Sequence, residues 1–173
     1  MKAIVKLLLM SCAGLMASCH ILDHGDCCTE IDTAVDVVVK NKDGHNLLDT
    51  ATLNHYAAAD IRLYYLKNGA AKEVYEPNLD APRHFIILQT DGEYTLRFFG
   101  DEAISTDKET TATLIQWRAG DNSNIDTLYT EMVRFNHSSV TCDKVTYKNK
   151  VVYDTSTPPD STRDVRRVVE IVK

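Results

Sequence analysis

An all-β fold, specifically an antiparallel β-sandwich, is what this sequence predicts. Three observations point to it. Apolar and polar residues alternate at period two in many short stretches. Asn68-Gly69 and Asp91-Gly92 sit between such stretches, and both pairs tolerate the positive φ angles of a tight hairpin. There is no strand–helix–strand rhythm and no fixed-period repeat, which argues against a parallel sheet or a solenoid. A closed barrel is the remaining all-β alternative.

The elements follow in order. Val35, Val37 and Val39 alternate with Asp36, Val38 and Lys40, giving a first strand, and Asn41-Lys42-Asp43-Gly44 ends it in a turn. His45 to Asp60 is a long connection with a helix-tolerant Tyr56-Ala57-Ala58-Ala59. Asp60 to Leu66 is a strand, turning at Lys67-Asn68-Gly69 into a partner over Ala71 to Tyr75. Pro77 and Pro82 bracket a loop. His84 to Thr90 and Glu93 to Phe99 form a hairpin across Asp91-Gly92. Thr110 to Trp117 and Ile125 to Phe135 are strands separated by the turn cluster Ala119 to Asn124. Val145 to Tyr147 and Val151 to Tyr153 flank Lys148-Asn149-Lys150. Asp154 to Asp164, with Pro158-Pro159, is a loop. Val165, Val168, Val169 and Val172 fit helix spacing, but their β-branching favours a strand.

The first nineteen residues carry a different message. Met1 to Lys6 is a basic start and Leu7 to Ala17 is an apolar run suited to export. A membrane-spanning helix needs about 20 apolar residues, so this run is too short for one. Leu15-Met16-Ala17-Ser18-Cys19 resembles the lipobox of bacterial lipoproteins, which implies lipidation of Cys19 after cleavage before it. Met16 stands where leucine is usual. Cys12 is the rival, but it would leave too short an apolar run. The chain then divides into a leader over 1–18, a tether over 19–32 and a single domain over 33–173. His20 is not the aspartate that tends to hold such proteins at the inner membrane, which favours the outer membrane.

The chain of 173 residues is 44% apolar and 25% charged, an ordinary globular mixture. Lys2 and Lys6 leave with the leader, so the net charge moves from −6 to about −8. So acidic a chain is a poor match for nucleic acid, which calls for cationic grooves.

Gly44 to Asp49, Asp60 to Gly69, Leu114 to Trp117 and Cys142 to Lys150 together resemble small uncharacterised cell-envelope lipoproteins of Bacteroidetes. The resemblance covers most of the mature chain and implies an immunoglobulin-like or transthyretin-like sandwich. It carries no activity and no catalytic residues. By the same analogy, Asp32-Thr33-Ala34, Asp49-Thr50-Ala51, Asp126-Thr127-Leu128 and Asp160-Ser161-Thr162 match an O-glycosylation triplet of exported proteins in that phylum.

No catalytic motif occurs, so a non-catalytic binding or structural module is expected, without cofactor. The tether His20-Ile21-Leu22-Asp23-His24-Gly25-Asp26-Cys27-Cys28 is dense in metal-ligating groups, and a metal-binding lipoprotein is the alternative. Its spacing matches no established site, and a tether lacks the supporting shell a metal needs, so no metal ligand is assigned. Cys27 or Cys28 bridges to Cys142, or all three stay free thiols. His45, His55, His84 and His137 are scattered and read as surface or packing residues. Tyr64, Tyr65, Tyr75, Tyr94, Tyr129, Tyr147, Tyr153 and Trp117 form either core or a stacking face. Trp117 shares a strand face with Ile115, Thr113 and Thr111 and is expected in the core. The membrane, through the lipid, is one expected partner, and a glycan or an envelope protein is another.

Overall fold

A computed structural model describes residues 29–135, 138–157 and 166–173. Among these residues there are eleven strands and no helix. They form two sheets, both mixed.

The smaller sheet has β2 (Ala34–Lys40) and β6 (Glu93–Phe99) at its centre, with β5 (Phe85–Thr90) and β11 (Val168–Val172) at its edges. The larger sheet runs β1 (Ile31–Asp32), β9 (Ser139–Tyr147), β8 (Ile125–Phe135), β7 (Lys108–Gln116), β3 (Arg62–Lys67) and β4 (Ala70–Glu73). Beside β1, β10 (Lys150–Asp154) also pairs with β9. Val35, Val37 and Phe98 of one sheet and Leu63, Ile115 and Leu128 of the other belong to one buried cluster, so the sheets share a core in the manner of a sandwich.

Local chemistry explains the hairpins. Asn68 and Gly69 have φ of 51° and 78°, Asp91 and Gly92 have 52° and 84°, and Lys148 and Asn149 have 47° and 62°. Each pair is left-handed at both central positions, the geometry that matches strand twist in a two-residue turn. The third turn is therefore Lys148-Asn149, with Lys150 already in β10. The Asn41 side chain accepts from the backbone of Asp43 and His45 at 3.0 and 2.9 Å, which fixes the turn after β2. In β2 the valines at 35, 37 and 39 are fully buried. Asp36, on the opposite face, receives a bidentate Arg97 at 2.7 and 2.8 Å.

The structure corrects the sequence reading in three places. The sandwich is not wholly antiparallel, because β1 runs parallel to β9 and β11 parallel to β2. Ile31 and Asp32, expected as the end of the tether, are a strand. Arg167 clamps Asp32 with two bonds of 2.7 and 2.8 Å. Finally, β9 begins at Ser139, well before the expected Val145. Its register skips Asp143, pairing Met132 with Cys142 and Glu131 with Lys144. That bulge moves the inward residues from Val140 and Cys142 to Val145 and Tyr147, so no single period-two pattern runs through the strand.

Candidate functional site

The two poles of the sandwich differ. At one pole lie Lys40, Trp117 and Lys173. At the other, Ala34 pairs with Phe99, close to Ile31.

The first pole is closed. Trp117 is fully buried, its ring stacked on Tyr56 with centroids 5.1 Å apart. Its Nε1 donates to Asp126 Oδ2 at 2.7 Å, and the Tyr147 hydroxyl donates to Asp126 Oδ1 at 2.7 Å. Lys173 Nζ pairs with Asp126 and donates to Asn124 Oδ1 at 2.7 Å. Burial alone would push the Asp126 carboxyl up. The bonds from Lys173, Tyr147 and Trp117, with the lysine charge, outweigh it and hold the carboxyl below the ordinary aspartate value. Every acceptor oxygen here already has a protein donor, so the cluster is structural. The sequence reading of Trp117 as core holds.

The second pole is open. A cleft of about 640 Å³ lies between the end of β3, the β4 edge, the loop after it and residues 99–103. Tyr65, on the inward face of β3, forms part of its floor. The Tyr65 hydroxyl lies 2.9 Å from the Phe99 carbonyl and 3.1 Å from His84 Nδ1. One phenolic proton cannot serve both, so either it goes to Phe99 while His84 Nδ1–H donates to the phenol, or His84 Nδ1 accepts it. Burial, then the charges of Asp101, Glu102 and Glu76, raise the Tyr65 phenol far above its usual range. It therefore stays protonated at physiological pH and supplies no phenolate nucleophile.

His84 has φ of 54°, an uncommon conformation for a residue with a side chain. Its Nε2 lies 2.9 Å from Glu76 Oε1. The oxygen is off the N–H axis, however, and the buried Nε2 makes no hydrogen bond. The contact is thus a close approach of charge rather than an aligned bond.

The rim is partly apolar and partly acidic. Ile31, Tyr75 and Leu79 line it while being 47%, 57% and 46% exposed. Arg83, outside the lining, lies over the Tyr75 ring at 5.6 Å. Asp101 is held by Lys67 at 2.9 Å, and Glu73 is shared by Arg62 and Arg83 at 3.5 Å each.

Of the residues singled out from sequence, the structure brings His84, Tyr65 and Tyr75 together here. His45 is exposed in a turn, and the half-buried His55 approaches the Thr52 carbonyl at 3.3 Å. Cys142 is a free thiol, fully buried, pushed up to about 12 by burial above all. Cys19, the tether from His20 to Cys28, and His137 lie outside the described residues. Among the described residues no group of three or more His, Cys, Asp or Glu side chains is placed to hold a metal. Of the three glycosylation-like triplets within the described residues, only Thr50 is presented openly. Thr33 is buried, and Asp126 is engaged in the network above. Asp160 lies outside the described residues. Sequence reasoning missed Ile31, Glu76 and Asp101, which come from three distant segments and share no motif. Comparison with family models, with curated proteins and with solved structures finds nothing that matches this chain.

Proposed function

We propose that this chain is a lipid-anchored protein of the cell envelope, held at the outer membrane through Cys19, and that it acts as a non-catalytic binding module through the cleft beside Tyr65 and His84. Within the sandwich class we read the fold as immunoglobulin-like or transthyretin-like, which suits two sheets around one core. The observation that carries the binding reading is the place of Ile31. It is the first strand residue after the tether, and it lines the cleft. It lies twelve positions after Cys19, and an extended chain of that length reaches at most about 40 Å. A lipid on Cys19 therefore keeps the cleft close to the membrane surface, where partners of the envelope are met. Several acyl chains, each worth about 0.8 kcal/mol per buried methylene, suffice for a stable anchor.

The non-catalytic reading is supported by the protonated Tyr65. Among the described residues, His84 Nδ1 is the ring nitrogen that meets a hydroxyl, and that hydroxyl is a raised phenol rather than an activated nucleophile.

Cys19→Ser tests the anchor. The native protein is expected to fractionate with membranes and to take up labelled fatty acid, and the variant to do neither. A variant that stays membrane-bound and labelled moves the anchor to Cys12 and refutes the assignment.

A further inference from the structure

Resting on the reading of the cleft as a ligand site, we propose that it takes a small cationic amphiphile, an apolar or aromatic group carrying an ammonium or guanidinium. Three observations converge on that class. The volume of about 640 Å³ admits a small organic molecule. The walls give it apolar surface: Val74 and Phe99 inside, with Ile31, Tyr75 and Leu79 left open at the rim. Large side chains of this kind stay exposed together where something is bound.

The third observation is the sign of the charge. The lining holds Glu73, Glu76, Asp80, Asp101 and Glu102 against Lys67 and Lys72. Asp101 is spent on Lys67, and Glu73 on the two arginines behind it. Asp80 and Glu102 are exposed and form no ion pair among the described residues. Glu76 has only the misaligned His84. Three carboxylates thus remain to face a bound cation, against Lys72. The Tyr75 ring already carries the Arg83 guanidinium at 5.6 Å, so the charge preference rests on the carboxylates and not on the ring. An anion of the same shape would be repelled by these three carboxylates and attracted by Lys72 alone.

Phenethylammonium, phenylacetate and 2-phenylethanol share one ring and differ in charge. The mature chain carrying Cys19→Ser, titrated with each to about 20 mM, is followed through the amide and methyl resonances of Ile31, Val74 and Leu79. Phenethylammonium is expected to shift them with at least about fivefold higher affinity than phenylacetate. That ratio corresponds to about 1 kcal/mol, one unit-charge contact near 4 Å in water. Asp80→Asn with Glu102→Gln, both at exposed positions, should bring the ratio towards one, as should about 0.5 M salt. If phenylacetate or phenylethanol binds as well as the ammonium, the ligand class is wrong although the cleft remains a site. If none of the three shifts these resonances, or shifts appear only elsewhere, both the class and the binding reading fall.

Discussion

Trp117→Ala separates core from site at the closed pole. The indole is fully buried, packs on Tyr56 at 5.1 Å and donates to Asp126 at 2.7 Å. Truncating a buried tryptophan costs about 3–5 kcal/mol through lost transfer energy and the cavity left behind. Here the upper part of that range applies, because Asp126 Oδ2 also loses a donor, and a bond to a charged acceptor is worth about 1.5–3 kcal/mol. These terms overlap and do not add. With about 2–4 °C of melting temperature per kcal/mol for a domain of this size, a loss of about 4–5 kcal/mol lowers Tm by about 8–20 °C. Thermal unfolding by far-ultraviolet circular dichroism measures this without relying on the only tryptophan. Tyr129→Ala is the control: an aromatic truncation at a position 44% exposed, expected to move Tm by under about 2 °C. A shift under about 2 °C for Trp117→Ala, or an equal shift for Tyr129→Ala, refutes the reasoning.

Other outcomes follow from the same geometry. The Asp126 carboxyl sits below its unfolded value, so its contribution to stability is present above about pH 4 and is lost as pH falls through the folded value. Asp126→Asn should therefore lower Tm at pH 7 and flatten the acid limb below about pH 4, and an unchanged acid limb would count against the network. Cys142, buried and pushed up to about 12, should resist a thiol reagent at pH 8 in the native Cys27→Ser, Cys28→Ser variant and react once unfolded. Rapid native labelling, or a Cys142 cross-link to Cys27 or Cys28 in non-reducing peptide mapping of the unmutated protein, would show the buried free thiol to be wrong.

The sequence was most readable where one face of a strand pairs without interruption. β2, the Asn68-Gly69 and Asp91-Gly92 hairpins and β8 announce themselves, because alternation and turn chemistry are local properties. β9 did not, because the bulge at Asp143 exchanges its faces midway, and a period-two reading loses phase there. β1 did not either: two residues are too short to show a period, and Asp32 is ordered by Arg167, 135 positions away. The parallel pairing of β11 to β2 has no local signal at all. The cleft was unreadable for the same reason. Its floor joins Tyr65 to His84 and Phe99, and its rim brings Ile31 to Leu79 and Glu102. What the sequence held in advance was the ingredients, a surplus of acid and of tyrosine, without their address.

The placement of charge at the two poles gives their difference a physical meaning. Asp126 is buried and balanced by three donors, one of them a lysine, because an unpaired carboxylate there would cost several kcal/mol. Asp80 and Glu102 are as acidic, yet water solvates them, so leaving them unpaired costs the fold little. Carboxylates that the fold does not use are the ones on which the proposed cation preference rests. They stand at the pole where β1 joins the larger sheet, and Ile31 belongs at once to that strand and to the cleft wall. Through Ile31 the edge of the larger sheet and the wall of the cleft are one structural unit.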